Sequence, residues 1–180
     1  MFLPSILRRH VIDRNLHAAR ELSVEYGKLP YFPHVLEILL HDILDEEVDS
    51  VLQAEDALLP RVLSFLSSFP YQRDVIVRCT RKTDARSWDT LFKHLPPPHQ
   101  LFEESLQKGD LKIAGGYLII SHTLESSESN LQQSLKLFRH AKETQDWELC
   151  KELSRFLMAL DESGDTLKEI LREVGLRVVQ

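Results

Sequence analysis

Eight histidines, two cysteines and twenty-eight acidic residues are the side chains through which this chain could hold a metal or move a proton. The best-spaced group is His34, Glu37 and His41, which fall at i, i+3 and i+7 on one helix face. Zinc sites of the H-E-x-x-H type place two histidines one turn apart, with a glutamate to polarise the bound water. His34 and His41 are two turns apart, roughly 10 Å along a helix, which is too far to share an ion held at about 2 Å from each ligand. A histidine that helps close the start of a helix is the plainer reading. His94, His99, His122 and His140 have no clustered partners in the sequence. Cys79 and Cys150 lie far apart, neither within a C-x-x-C pair, so each reads as a small buried hydrophobe rather than a disulfide or thiolate ligand. No phosphate-binding loop, dinucleotide fingerprint or nucleophile elbow occurs. Gly115-Gly116 lies between Ile113 and Tyr117 inside a helical pattern, where close packing on a neighbour is the usual reason for glycine. The expectation is no catalytic residue, no cofactor-binding residue and no metal site, hence no cofactor and no enzymatic activity of the chain by itself.

The elements that would carry these residues read as helices almost throughout. Phe32, Val35, Leu36, Leu39, Leu40, Ile43 and Leu44 recur with a period near 3.6, started by Pro30 and Pro33 and ended by the acidic run from Asp45. A first helix is predicted from about Asp13 to Tyr26, stopped by Gly27, and a short one from Pro60 to Phe69, stopped by Pro70. Further helices are predicted near 72–82, 86–95, 99–108, 111–124, 129–144, 147–160 and 165–174. The run Pro96-Pro97-Pro98 breaks the chain between two of them.

Two stretches match at a spacing of thirty-six residues: Leu101-Phe102 with Leu137-Phe138, Ser105 with Ala141, Asp110 with Asp146, Leu111 with Trp147, Ala114 with Cys150 and Tyr117 with Leu153. Each reads as a helix hairpin, with the aspartate accepting from the first free N–H groups of its second helix and Gly109 suited to a left-handed cap. A weaker third copy lies at Phe65-Leu66 and Asp74-Val75. A period in the thirties with two helices per unit predicts an all-α solenoid of stacked antiparallel hairpins, with nine or ten helices here. The expected organisation is one domain over 1–180, with 161–180 as a loosely docked terminal helix. The chain starts abruptly in helical pattern without a polar capping unit, so it is expected to be a fragment.

The net charge of −6 gives no global attraction for phosphate backbones, and nucleic acid is not an expected partner. Met1 to Leu7 is apolar but precedes Arg8 and Arg9, the reverse of a secretory signal, so the expected compartment is cytoplasmic. No run of eighteen apolar residues could span a bilayer. Residues 29–60 lack Lys and Arg and carry eight acidic residues from Glu37 to Asp56 up to Leu59 and Pro60, read first as a solvated helix end and loop and second as a patch for a basic partner. Trp88 and Trp147 read as wedges within hairpins, and Arg78, Arg81 and Lys82 as a basic helix end that complements its dipole.

The run Leu29-Pro30-Tyr31-Phe32-Pro33-His34-Val35-Leu36-Glu37, continuing to Leu40-His41, resembles the C-terminal domain of the Ric-one (ribosome control protein one) family. The resemblance extends through Arg78-Cys79-Thr80-Arg81-Lys82-Thr83, Trp88, Leu101-Phe102-Glu103-Glu104, Tyr117-Leu118-Ile119-Ile120, Trp147-Glu148-Leu149-Cys150 and Arg155-Phe156-Leu157. It implies a much longer Ric-one chain with β-propellers ahead of this domain, and an Rgp-one-type partner subunit. It also implies a role in guanine-nucleotide exchange on a Golgi GTPase of the Rab-six type (Ypt-six in yeast), in endosome-to-Golgi retrograde transport. Membrane association would be peripheral, on the Golgi, through the complex. The resemblance marks no exchange residue. A trafficking scaffold or tether without exchange activity is the other reading of such a solenoid.

Overall fold

Helix begins earlier than the apolar spacing predicts. In the computed structural model, which describes residues 2–48, 57–125 and 127–175, α1 spans Leu3–Ile12 and α2 spans Leu16–Tyr26. Pro4 stands in the first turn of α1, where a missing N–H costs nothing. Arg14 then adopts φ 56°, and the Asn15 side chain accepts from the Ala18 N–H at 3.1 Å to open α2. The predicted start near Asp13 is therefore the break between two helices. With α1 counted, eleven helices and no strand are found among the described residues.

The chain divides into two compact units, Met1–Pro96 and Pro97–Gln180. In the first, α3 (Phe32–Val48) is the centre, and α1, α4 (Leu59–Leu66), α5 (Gln72–Thr80) and α6 (Ala85–Phe92) pack on it. The reason is in its sequence: all seven residues of the predicted stripe are buried, and an apolar face that wide needs cover from several sides. The proposed third copy of the repeat is not borne out here. Asp74 lies inside the first turn of α5 and pairs with Arg78 at 2.8 Å rather than capping a helix, and α4 and α5 pack chiefly on α3.

The second unit is built as the repeat predicts. α7 (Pro98–Gln107) and α8 (Leu111–Leu124) form one hairpin, α9 (Ser127–Glu143) and α10 (Trp147–Leu160) the next, and α8 packs on α9. Leu101 and Phe102, like their counterparts Leu137 and Phe138, are buried, as are Ser105 and Ala141, Ala114 and Cys150, and Tyr117 and Leu153. Both turns use a left-handed residue, Gly109 at φ 78° and Gln145 at φ 59°. The capping expectation holds for one aspartate only: Asp146 accepts from the Leu149 N–H at 3.0 Å, whereas the Asp110 carboxylate makes no cap bond to α8. The Leu111 N–H at the start of α8 donates instead to the Gly109 carbonyl at 3.0 Å.

Gly115 faces α9 and α10 without crowding, since a Cβ there would stand 3.7 Å from Leu149 Cδ1 and 3.8 Å from Leu137 Cδ2. Those are ordinary contacts, so packing does not require glycine at this position. α11 (Asp165–Glu173) rests on α9 and α10 through buried Ile170, with Val174 buried just beyond it. Asp161 Oδ2 accepts from the Thr166 N–H at 3.0 Å and its hydroxyl at 2.8 Å, and Lys142 Nζ donates to the Val174 carbonyl. Residues 176–180, the end of the predicted terminal helix segment, lie outside the described residues.

Candidate interaction site around Glu37

Glu37 is carried on the flank of the α3 stripe and is only 3% exposed. A lone buried carboxylate would be costly, and it is not alone. Lys82, from the turn after α5, donates Nζ to Oε1 at 2.5 Å, and His34 Nδ1 stands 3.3 Å from Oε2. Burial raises the carboxyl pKa, but the hydrogen bonds and charges of Lys82 and His34 outweigh it, and the group titrates below 4.5. Lys82 and His34 each keep about half of their side chains in water. Lys82 thus serves a specific ion pair and not only the basic end of a helix.

The same junction draws in two more runs of the sequence. The Trp88 indole N–H donates to the Thr80 carbonyl at 3.0 Å, which ties α6 to the end of α5, as a wedge should. Asp84 opens α6 by accepting from the Ser87 N–H at 3.0 Å. Phe32 at the α3 start packs 5.7 Å from Phe69, which lies 5.2 Å from Phe65 and stacks on Tyr71 at 5.7 Å. The segments 29–41, 78–83 and Trp88 are consequently one structural junction, with Tyr31, His34, Arg78, Arg81 and Lys82 presented at its surface.

The thiol of this junction is held in its protonated form. The Cys79 thiol is buried, and burial, with Glu37 and Asp45 adding to it, pushes its pKa up to about 12. Burial likewise raises the Cys150 thiol. Of His34, Glu37 and His41, the first two meet each other, while His41 Nδ1 turns to Asp45 at 3.2 Å. Among the described residues, no three potential ligands are grouped to hold an ion.

Other expectations are revised by the fold. His99 and His122 do have partners: His99 Nδ1 is 2.8 Å from Glu125 Oε1, and His122 Nε2 is 3.3 Å from Ser134 Oγ with its ring edge-on to Phe156. Trp147 is not a buried wedge; it is 56% exposed. In the acidic region, Glu46 pairs with Arg8 at 2.5 Å, and Glu47 accepts from the N–H groups of Leu58 and Leu59 at the start of α4. Part of that run is therefore spent inside the fold, joining the basic first segment to α3. Asp49, Glu55 and Asp56 lie outside the described residues. The pairings of Glu37 with Lys82 and Glu46 with Arg8 had no sequence signal beyond an acidic residue flanking an apolar stripe.

Comparison with known proteins places this arrangement. Residues 4–176 match the family described as the RIC1 C-terminal alpha solenoid region. The chain belongs to that family. The RIC1 relatives include the mouse (Mus musculus) and human (Homo sapiens) guanine nucleotide exchange factor subunit RIC1, each 41% identical over 166 residues, 92% of this chain and 12% of theirs. The Caenorhabditis elegans guanine nucleotide exchange factor subunit R06F6.8 is 38% identical over 155 residues, 86% of this chain and 10% of that protein. The chain thus spans about an eighth of the length of its mouse and human relatives. No solved structure matches. The runs that carry the RIC1 resemblance are in the first unit the residues that close the α3–α5–α6 junction, and in the second buried residues of the hairpins together with exposed Ile119, Trp147, Glu148 and Arg155.

Proposed function

We propose that this chain is a non-catalytic helical scaffold within a guanine-nucleotide exchange factor complex acting on a Golgi GTPase of the Rab-six type. The observation that carries the reading is 41% identity across 92% of the chain to proteins named as exchange factor subunits. An exchange factor needs no bond chemistry. It must bind the nucleotide-free GTPase better than the loaded one, so that release follows from a shift in population. Helix faces presented by a stacked solenoid suit such binding, and the inert Cys79 and ion-paired Glu37 are in keeping with it.

In this reading the domain holds an Rgp-one-type partner subunit or the GTPase itself, and the complex works peripherally on Golgi membranes in endosome-to-Golgi transport. No helix among the described residues is long and apolar enough to cross a membrane. The test is release of a fluorescent guanine nucleotide from the Rab-six-type GTPase. The full-length protein that contains this chain, mixed with its partner subunit, should accelerate release, and deletion of this domain should abolish the acceleration. An unchanged release rate with the intact complex would sink the proposal. Capture of coat or tether subunits without the partner subunit would favour a scaffold that has no exchange role.

A further inference from the structure

Charge is spread unevenly over the first unit. Residues 72–86, from α5 into α6, carry five basic side chains against two acidic ones, in a chain whose net charge is −6. Part of that surplus serves the fold: Arg78 pairs with Asp74 at 2.8 Å and stands in the last turn of α5, where it meets the helix dipole. Arg81 is exposed, and no carboxylate among the described residues pairs with it. Next to it in the chain, Lys82 shares the buried Glu37 carboxylate with His34, at 2.5 and 3.3 Å, yet 55% of each of the two side chains stays in water. An ammonium gripped by a buried partner has already lost much of its rotamer freedom, so its remaining donors meet a second anion at a lower entropic cost than a free surface lysine would. Tyr31, whose carbonyl accepts from the His34 N–H at 3.0 Å, is 54% exposed. A tyrosine ring left that far in water adds little to the core, and tyrosine is among the residue types most enriched at binding hot spots.

We propose that Tyr31, His34, Arg81 and Lys82 form a docking surface for an acidic, carboxylate-bearing segment of a partner protein. The Arg81 guanidinium offers two parallel N–H donors to one carboxylate, the outward donors of Lys82 serve a second, and the Tyr31 ring covers the aliphatic part of the segment. Charge complementarity selects this occupant, since a basic segment would be repelled. An anionic bilayer is the poorer match: it is an extended plane that would face much of a chain of net charge −6, whereas a short segment meets only the charges within about one Debye length, roughly 8 Å. The assignment rests on the scaffold reading only in supposing that a protein partner exists.

The experiment is an NMR titration of the isotopically labelled 180-residue chain with the peptide acetyl-Glu-Leu-Glu-amide. The comparison probes are acetyl-Lys-Leu-Lys-amide and phosphatidylcholine vesicles containing phosphatidylserine. The acidic peptide should shift the amides of Tyr31, His34 and 79–84, with millimolar affinity that weakens in high salt. Arg81→Ser and Tyr31→Ala should each weaken binding about threefold, as loss of one exposed charge pair or ring contact would. Arg81→Ser should leave the thermal midpoint in place, since that side chain is exposed and pairs with no carboxylate among the described residues. Neither GTPase nor nucleotide is present, so a negative result here would leave the exchange reading standing, and a failed exchange assay would leave this surface standing. Absence of these shifts, equal shifts with the lysine peptide, binding of the vesicles but not of the acidic peptide, or full binding by both variants would overturn the proposal.

Discussion

At positions 109 and 145 one left-handed turn is made by two different residue types, a glycine at φ 78° and a glutamine at φ 59°. Only glycine takes that conformation without a Cβ penalty. Gly109→Ala should therefore destabilise the chain by about 1 kcal/mol, although a Cβ there meets open space. Gln145→Gly should stabilise it by about 0.5 kcal/mol. Chemical denaturation of both variants checks the opposite signs. Gly115 is the contrasting case. It sits inside α8, with room for a methyl group between Leu149 and Leu137, so Gly115→Ala should raise stability by about 0.5–1 kcal/mol through helix propensity. A loss of stability in the same assay would overturn this expectation.

Between elements, the Glu37–Lys82 pair fastens the turn after α5 to α3. Removing Lys82 leaves a buried carboxylate with His34 alone, which for a fully buried pair costs about 3–5 kcal/mol. Lys82 is half exposed, and solvent screening reduces the expected cost of Lys82→Met to about 1–2 kcal/mol. Glu37→Gln combined with Lys82→Met should recover part of that loss, which a double-mutant cycle would read. The carboxyl pKa is lower in the folded chain than its ordinary 4.5, so its contribution is present above 4.5 and is lost as pH falls through the folded value. Acid unfolding below pH 4.5 should consequently be shallower in Glu37→Gln.

His122 ties α8 to α9 and contributes in another pH window. Burial lowers its pKa from 6.5, against a smaller opposing hydrogen bond at Asn130. The unfolded chain therefore takes up the proton first as pH falls through 6.5, and stability declines below that value until the folded ring also protonates. The decline should be weaker in His122→Gln, as thermal midpoints measured between pH 7 and pH 5 would show.

For the whole molecule, the two compact units differ in design: the first is centred on one apolar helix, and the second stacks hairpins that repeat. Solenoid stability is close to a sum over neighbouring repeats. Residues 97–180, which contain both hairpins and α11, should therefore fold as a separate helical fragment. Circular dichroism with a cooperative thermal transition would support this, and a fragment without cooperative unfolding would show that the core needs residues 1–96.

Helix content, most helix boundaries and the thirty-six-residue repeat were legible in the sequence, because each rests on local periodicity, proline and glycine stops, or the spacing of small and apolar residues. The residues that resemble the RIC1 family were legible too, as runs, but not as parts of one junction. That juxtaposition, like the Arg8–Glu46 pair across thirty-eight residues, depends on which helix faces meet. Periodicity along the chain identifies the face that must be covered and carries no information about its distant cover. For the same reason Trp147 and Asp110 read like their repeat counterparts in sequence: only the packed hairpins decide that one indole stays in water and one carboxylate stays free of its helix.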